Sequence, residues 1–134
     1  MLFNATTIPV LEQVASFSQA RHHVLAGNLA NLDTPGYQAR DLPIGAFQGQ
    51  LKQAIEARDR QPSATSIAAT MHQKQSPFQN VQRGLEAIVR HDDVNVGLEQ
   101  QVAEMNKNQL THNLAMSVLG NQFRLLGAAI SERA

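Results

Sequence analysis

The sequence predicts a mainly α-helical fold in which long N- and C-terminal helices pair as an antiparallel, coiled-coil-like hairpin. Three observations lead there. Leu98, Val102, Met105, Gln109, His112, Met116, Leu119, Phe123, Leu126 and Ile130 fall at alternating steps of four and three, a heptad seam without a slip. Ile8, Leu11, Ala15, Ser18, His22, Leu25, Leu29 and Leu32 repeat the pattern near the start. Hydrophobic residues make up 43% of the chain but aromatics only 4%, with no Trp, which favours helices packed side by side over a core of large side chains.

The first helix is expected to begin at an N-cap Thr7, with Pro9 in the first turn, where a missing N–H is no loss, and Glu12 near the positive helix end. A second row, Val10, Val14, Phe17 and Val24, runs beside the seam and ends in Asn28 and Asn31. Thr34-Pro35-Gly36-Tyr37 reads as a type II turn, since Pro pre-sets the first central φ and Gly accepts the positive second one. Residues before a proline avoid the helical region, so the helix stops near Asp33. The amides of Asn28 and Asn31 are placed to reach the last carbonyls of the helix or the backbone of a neighbouring molecule. Gly27 leaves room for close packing.

Pro43 opens a short amphipathic helix with Ile44, Phe47, Leu51 and Ile55 on one face, ending near residues 58–60 and folding back on the terminal helices. Residues 61–80 are rich in Gln, Ser, Thr and Ala, show no period, and read as a loop whose composition assembles no core. Residues 81–90 suit a short helix and a strand equally. His91-Asp92-Asp93 reads as a solvated turn, and Asn95 as the cap of the last helix.

That last helix carries a further apolar row, Leu110, Leu114, Val118 and Leu125, away from its seam, and no fixed charge lies between Asn108 and Phe123. A helix apolar on two sides is not satisfied by one partner. At 1.5 Å per residue the two terminal helices span about 37 and about 50 Å, and centring one on the other brings His22 near Gln109 and His112. Both histidines read as polar seam positions that fix register.

Function classes fall away quickly. Net charge is formally zero and no basic stripe is present, which argues against nucleic acid. There is no cysteine, so no thiol chemistry. No phosphate-binding loop, zinc-protease motif or nucleophile elbow occurs, so the chain reads as a non-enzyme without cofactor or metal. No apolar run is long enough to span a membrane, and the first residues lack the pattern of a cleaved signal peptide.

The string Asn28-Leu29-Ala30-Asn31-Leu32-Asp33-Thr34-Pro35-Gly36-Tyr37 resembles the N-terminal signature of flagellar rod and hook axial proteins. Its continuation through Arg40-Asp41 is similar to the proximal-rod branch. Val96-Gly97-Leu98-Glu99 through Met105 and Lys107-Asn108 is similar to the opening of that family's last helix, with Gly97 in place of an acidic residue. The resemblance implies a structural rod subunit of the bacterial flagellar basal body. It implies export without a cleaved signal through the flagellar type III apparatus. It also implies homo- and hetero-oligomeric helical assembly with other rod proteins and with the membrane ring or its rod adaptor. The parts are then 1–37, the axial helix and turn; 38–94, a variable middle; and 95–134, the second axial helix. Asn28, Leu29, Asn31, Asp33, Thr34, Pro35, Gly36, Tyr37, Arg40 and Asp41 are the expected family and subunit-contact residues. Leu11, Leu25, Leu29, Leu98, Val102, Met105, Met116, Leu119, Phe123, Leu126 and Ile130 form the expected seam. The rival readings are a cytosolic helical adaptor or chaperone, and another member of the rod family.

Overall fold

The first helix, α1, runs from Ile8 to Ala30. It belongs to a computed structural model that describes residues 6–60, 76–89 and 97–132. Its start follows the expected pattern with one change of partner. Thr7 occupies the cap position without a side-chain cap bond, and Thr6 Oγ1 instead accepts from the Ile8 N–H at 3.3 Å. The first turn holds no acidic residue, because Glu12 lies one turn further in, beyond the reach of the helix-end charge. The helix closes at Asn31, two residues before Asp33. The Asn31 N–H and side-chain amide both donate to the Gly27 carbonyl, at 3.1 and 2.8 Å.

Thr34–Tyr37 forms the expected turn. The Tyr37 N–H reaches the Thr34 carbonyl at 3.2 Å, and Gly36 takes φ +76°, the conformation only glycine adopts without strain. Strand β1, Arg40–Asp41, follows, then helix α2, Ile44–Asp59. A 3₁₀ turn at Pro77–Asn80 is capped by Ser76, whose Oγ accepts from Phe78 N–H. Strand β2, Ile88–Val89, pairs antiparallel with β1, Arg40 opposite Val89 and Asp41 opposite Ile88. Within the ambiguous stretch, residues 81–89 resolve as a turn and a strand. Helix α3 spans Leu98–Ser131 with Gly97 at its cap position, two residues beyond the expected Asn95. Asn95 and His91–Asp93 lie outside the described residues.

Two rows of α1 serve two partners. Phe17 stacks on Phe47 of α2, ring centroids 4.0 Å apart and planes 5° from parallel. Leu42, Ala54, Phe78 and Val81 complete this core, with Val10, Val14 and Val24 packed against it. The expected α2 face is the one used, although Ile44 stays exposed. Phe78 corrects the reading of the Gln-rich stretch: one buried aromatic, which has no period to betray it, puts that segment's end in the core. The other row of α1 lies along α3. Antiparallel pairing follows from Asn28 against Gln101, Arg21 against Glu104, the Ser18 carbonyl against Asn108 and the Ala15 carbonyl against His112.

Candidate assembly interface

The helix pair buries polar side chains alongside apolar ones, while much of the apolar surface of α3 stays outside it. On α3 the buried side chains are Gln101, Asn108 and Ala115, spaced seven apart. That is a heptad stripe, but it lies one residue round from the apolar seam that the sequence suggests. Opposite it, α1 buries Ser18, Arg21, Leu25 and Asn28. Asn108 Nδ2 donates to the Ser18 carbonyl at 2.7 Å, and the Ser18 hydroxyl is satisfied by the Val14 carbonyl at 2.6 Å. His112 Nδ1 lies 3.2 Å from the Ala15 carbonyl oxygen, a bond made by the Nδ1–H tautomer. His22, Gln109 and His112 line one groove of about 470 Å³ between the two helices, together with Ala15, Met116 and Leu119.

The expected seam residues divide accordingly. Leu25 is fully buried, Leu11, Leu29, Met105, Leu119 and Leu126 are half-buried, and Leu98, Val102, Met116, Phe123 and Ile130 are exposed. The second row is exposed as well at Leu110, Leu114 and Leu125, the last 66% accessible. On a helix with 100° between residues, these two rows flank the polar stripe on opposite sides. The heptad seam thus faces α1 only along one edge: His112, Met116 and Leu119 line the groove against it, whereas Leu98, Val102, Phe123 and Ile130 stay exposed. Periodicity reveals a stripe but does not say whether its own chain or another molecule covers it.

The signature segment also splits in two. One part is a buried polar lock. Asn28 Nδ2 donates to the Arg40 carbonyl at 2.6 Å, and its Oδ1 accepts from the Arg40 N–H at 2.9 Å and the Tyr37 hydroxyl at 3.1 Å. Asp41 receives the Arg21 guanidinium on both oxygens, at 2.9 and 3.0 Å, and also accepts from the Leu42 N–H. Arg21 Nη2 then reaches Glu104 of α3 at 2.8 Å. That hydrogen bond outweighs partial burial and holds the Glu104 carboxyl below the usual carboxylate range; hydrogen bonding to Asp41 likewise raises Arg21. The other part, 32–38, is exposed throughout, with Asp33, Thr34, Pro35 and Gly36 at its tip. Asn31 caps the helix as expected, whereas Asn28 reaches β1 rather than a helix-end carbonyl. Gly27 is not needed for close packing within the chain, because a Cβ there would meet the Tyr37 hydroxyl at an ordinary 3.9 Å.

Arg21, Glu104 and Gln101 take part in the helix contact but are not among the residues that sequence reasoning singles out, and Asn108 enters there only within the family motif. Beyond that motif, the signal for Gln101 and Asn108 was their seven-residue spacing with Ala115, and polar residues at such spacing read as solvent-facing. Among the described residues no group of three or more His, Asp or Glu is arranged to hold a metal ion, and no helix is long and apolar enough to cross a membrane.

No protein-family model matches the chain. Individual relatives do. The chain is 30% identical over 122 residues to the flagellar basal body rod protein FlgB of Escherichia coli, covering 84% of each protein. It belongs to the FlgB family of flagellar basal body rod proteins. FlgB of Aquifex aeolicus matches at 25% over 131 residues, 95% of this chain and 94% of the relative, and FlgB of Yersinia ruckeri at 28% over 84% and 85%. Membership makes the chain a flagellar basal body rod subunit. For a FlgB-family chain, apolar helix flanks left uncovered and an exposed turn on a rigid polar lock are the features to explain.

Proposed function

We propose that the chain is a structural subunit of the proximal rod, assembling through its terminal helices with other rod subunits and carrying torque from the membrane ring to the outer axial structure. The observation that carries this reading is the mixed interior of the helix pair: Ser18, Arg21, Asn28, Gln101 and Asn108 are buried there beside Leu25 and Ala115, while Leu110, Leu114, Phe123 and Leu125 lie outside. Polar groups buried between helices weaken packing but fix register, because a slipped pair leaves them unsatisfied. The hairpin is therefore defined in alignment while its apolar area stays available to neighbours. Contacts of that kind, repeated head to tail without closing, build a helical tube, and many small dispersion contacts share a mechanical load. The exposed turn at 32–38 is a second contact toward adjacent subunits. Partners on this reading are other rod proteins, the membrane ring or its rod adaptor, and the flagellar type III export apparatus that delivers the chain.

The test is fractionation of basal bodies from cells expressing Phe123→Ala or Leu125→Ala, both exposed in the chain. The expected result is normal export, loss of the variant from the purified basal body and loss of motility. Unchanged motility for both variants would remove the α3 flank from the assembly. Wild-type protein that stays out of the basal body would instead favour a soluble helical adaptor.

A further inference from the structure

Little apolar contact holds the exposed turn in place. Residues 32–38 are exposed, and the strand that returns from them is gripped by two side chains of α1. Asn28 bonds both the N–H and the carbonyl of Arg40, and Arg21 forks onto Asp41. Both gripping side chains are themselves buried, Asn28 to 2% exposure and Arg21 to 5%. Part of that cover is α3. Gln101, 1% exposed, lies against Asn28 with its Oε1 3.4 Å from Nδ2, and Glu104 takes the second face of the Arg21 Nη2.

Resting on the rod reading above, we infer that Gln101 and Glu104 are positioning residues for the subunit-contact turn: they act through Asn28 and Arg21, so docking of α3 sets the geometry of residues 32–41. The physical cause is solvent. With α3 absent, the Asn28 amide and the Arg21 guanidinium face water, where their bonds to Arg40 and Asp41 merely exchange for bonds to solvent and the ion pair is screened. With α3 in place water is displaced, the local dielectric falls, and each unmade bond leaves a buried polar group unsatisfied. The aromatic core of Phe17, Phe47 and Phe78 has no member from α3, so it is not subject to the same condition. The contact surface is complete only in a chain whose two ends have already met in register.

Amide exchange of the full chain, followed by NMR at a concentration where it is monomeric, tests this. The probes are the Arg40 and Leu42 amides, bonded to Asn28 and Asp41, with Leu51 and Ile55 inside α2 as references. In the double variant Gln101→Ala, Glu104→Ala the Arg40 and Leu42 amides are expected to exchange at least tenfold faster, while the reference amides stay within twofold. Glu104→Gln keeps an acceptor for Arg21 and is expected to retain most of the Leu42 protection that Glu104→Ala loses. Unchanged exchange at Arg40 and Leu42, equal acceleration at all four amides, or a Glu104→Gln variant as exposed as Glu104→Ala would overturn the inference. The measurement needs no basal body, so its failure and the failure of the rod reading are separate results.

Discussion

α1 meets the rest of its chain through two surfaces of opposite character. Toward α2 it offers Phe17 and a valine row, and the result is a small aromatic core. Toward α3 it offers Ser18, Arg21 and Asn28 around a buried Leu25, and the result adds a set of directional bonds. Area burial is forgiving about alignment and contributes roughly 25 cal/mol per Å². Hydrogen bonds contribute only about 1 kcal/mol each in net terms, yet penalise misalignment strongly. One surface therefore supplies stability and the other supplies register. Such a division suits a subunit whose remaining apolar surface lies outside.

The largest way to break the comparison is Phe47→Ala. Emptying a fully buried aromatic site costs about 3–5 kcal/mol, and Phe47 is 4% exposed with Phe17 stacked on it. Urea denaturation followed by circular dichroism is expected to show a loss of that size, with the whole chain destabilised. Arg21→Ala comes next, at about 3 kcal/mol, because it removes both guanidinium bonds and the compensating charge from the buried Asp41 carboxylate. Its signature differs: proteolysis is expected to open α3 and the signature turn first, while the α2 core resists. If both variants lose α3 and α2 together, the two surfaces are one cooperative unit and the division fails.

Much of this was legible in the sequence. The bounds of α3, the Pro-Gly turn and the valine row of α1 follow from periodicity and turn chemistry, which are local. What was not legible depends on groups far apart in the chain. Arg21 finds Glu104 across 83 positions, and neither residue has a spacing that announces the other. Asn108 and Gln101 look like surface residues because nothing local says that α1 covers them. Phe78 sits alone in a polar segment, so no pattern marks it as core.

A smaller effect sharpens the polar side. Glu104 has a lowered carboxyl pKa in the folded chain because of the Arg21 hydrogen bond. A depressed folded value means the stabilisation is fully present above the unfolded glutamate pKa, about 4.3, and is lost as the pH falls from there through the folded value. Stability is thus expected to be flat in this group near neutral pH and to decline in acid. Glu104→Gln, which cannot ionise, is expected to show a shallower acid limb in urea midpoints measured from pH 6 to pH 3. An identical limb in both proteins would mean that other carboxylates dominate.

The smallest expected effect on the lone chain is the most informative about assembly. Leu114 and Leu125 are each 66% exposed, so truncation to Ala removes little that the monomer buries, and stability is expected to stay within about 0.5 kcal/mol. In an assembled rod the same side chains would be packed, and each would then cost on the order of 2–4 kcal/mol when truncated. Such a loss, repeated at every subunit contact, is far larger than a marginal assembly tolerates. The comparison needed is therefore between two measurements on one variant: its urea midpoint as free protein, and its retention in basal bodies. A normal midpoint with poor retention places the leucine row at a subunit contact. A lowered midpoint would show that the row is already covered within the chain, and the division between a register surface and a free apolar surface would not stand.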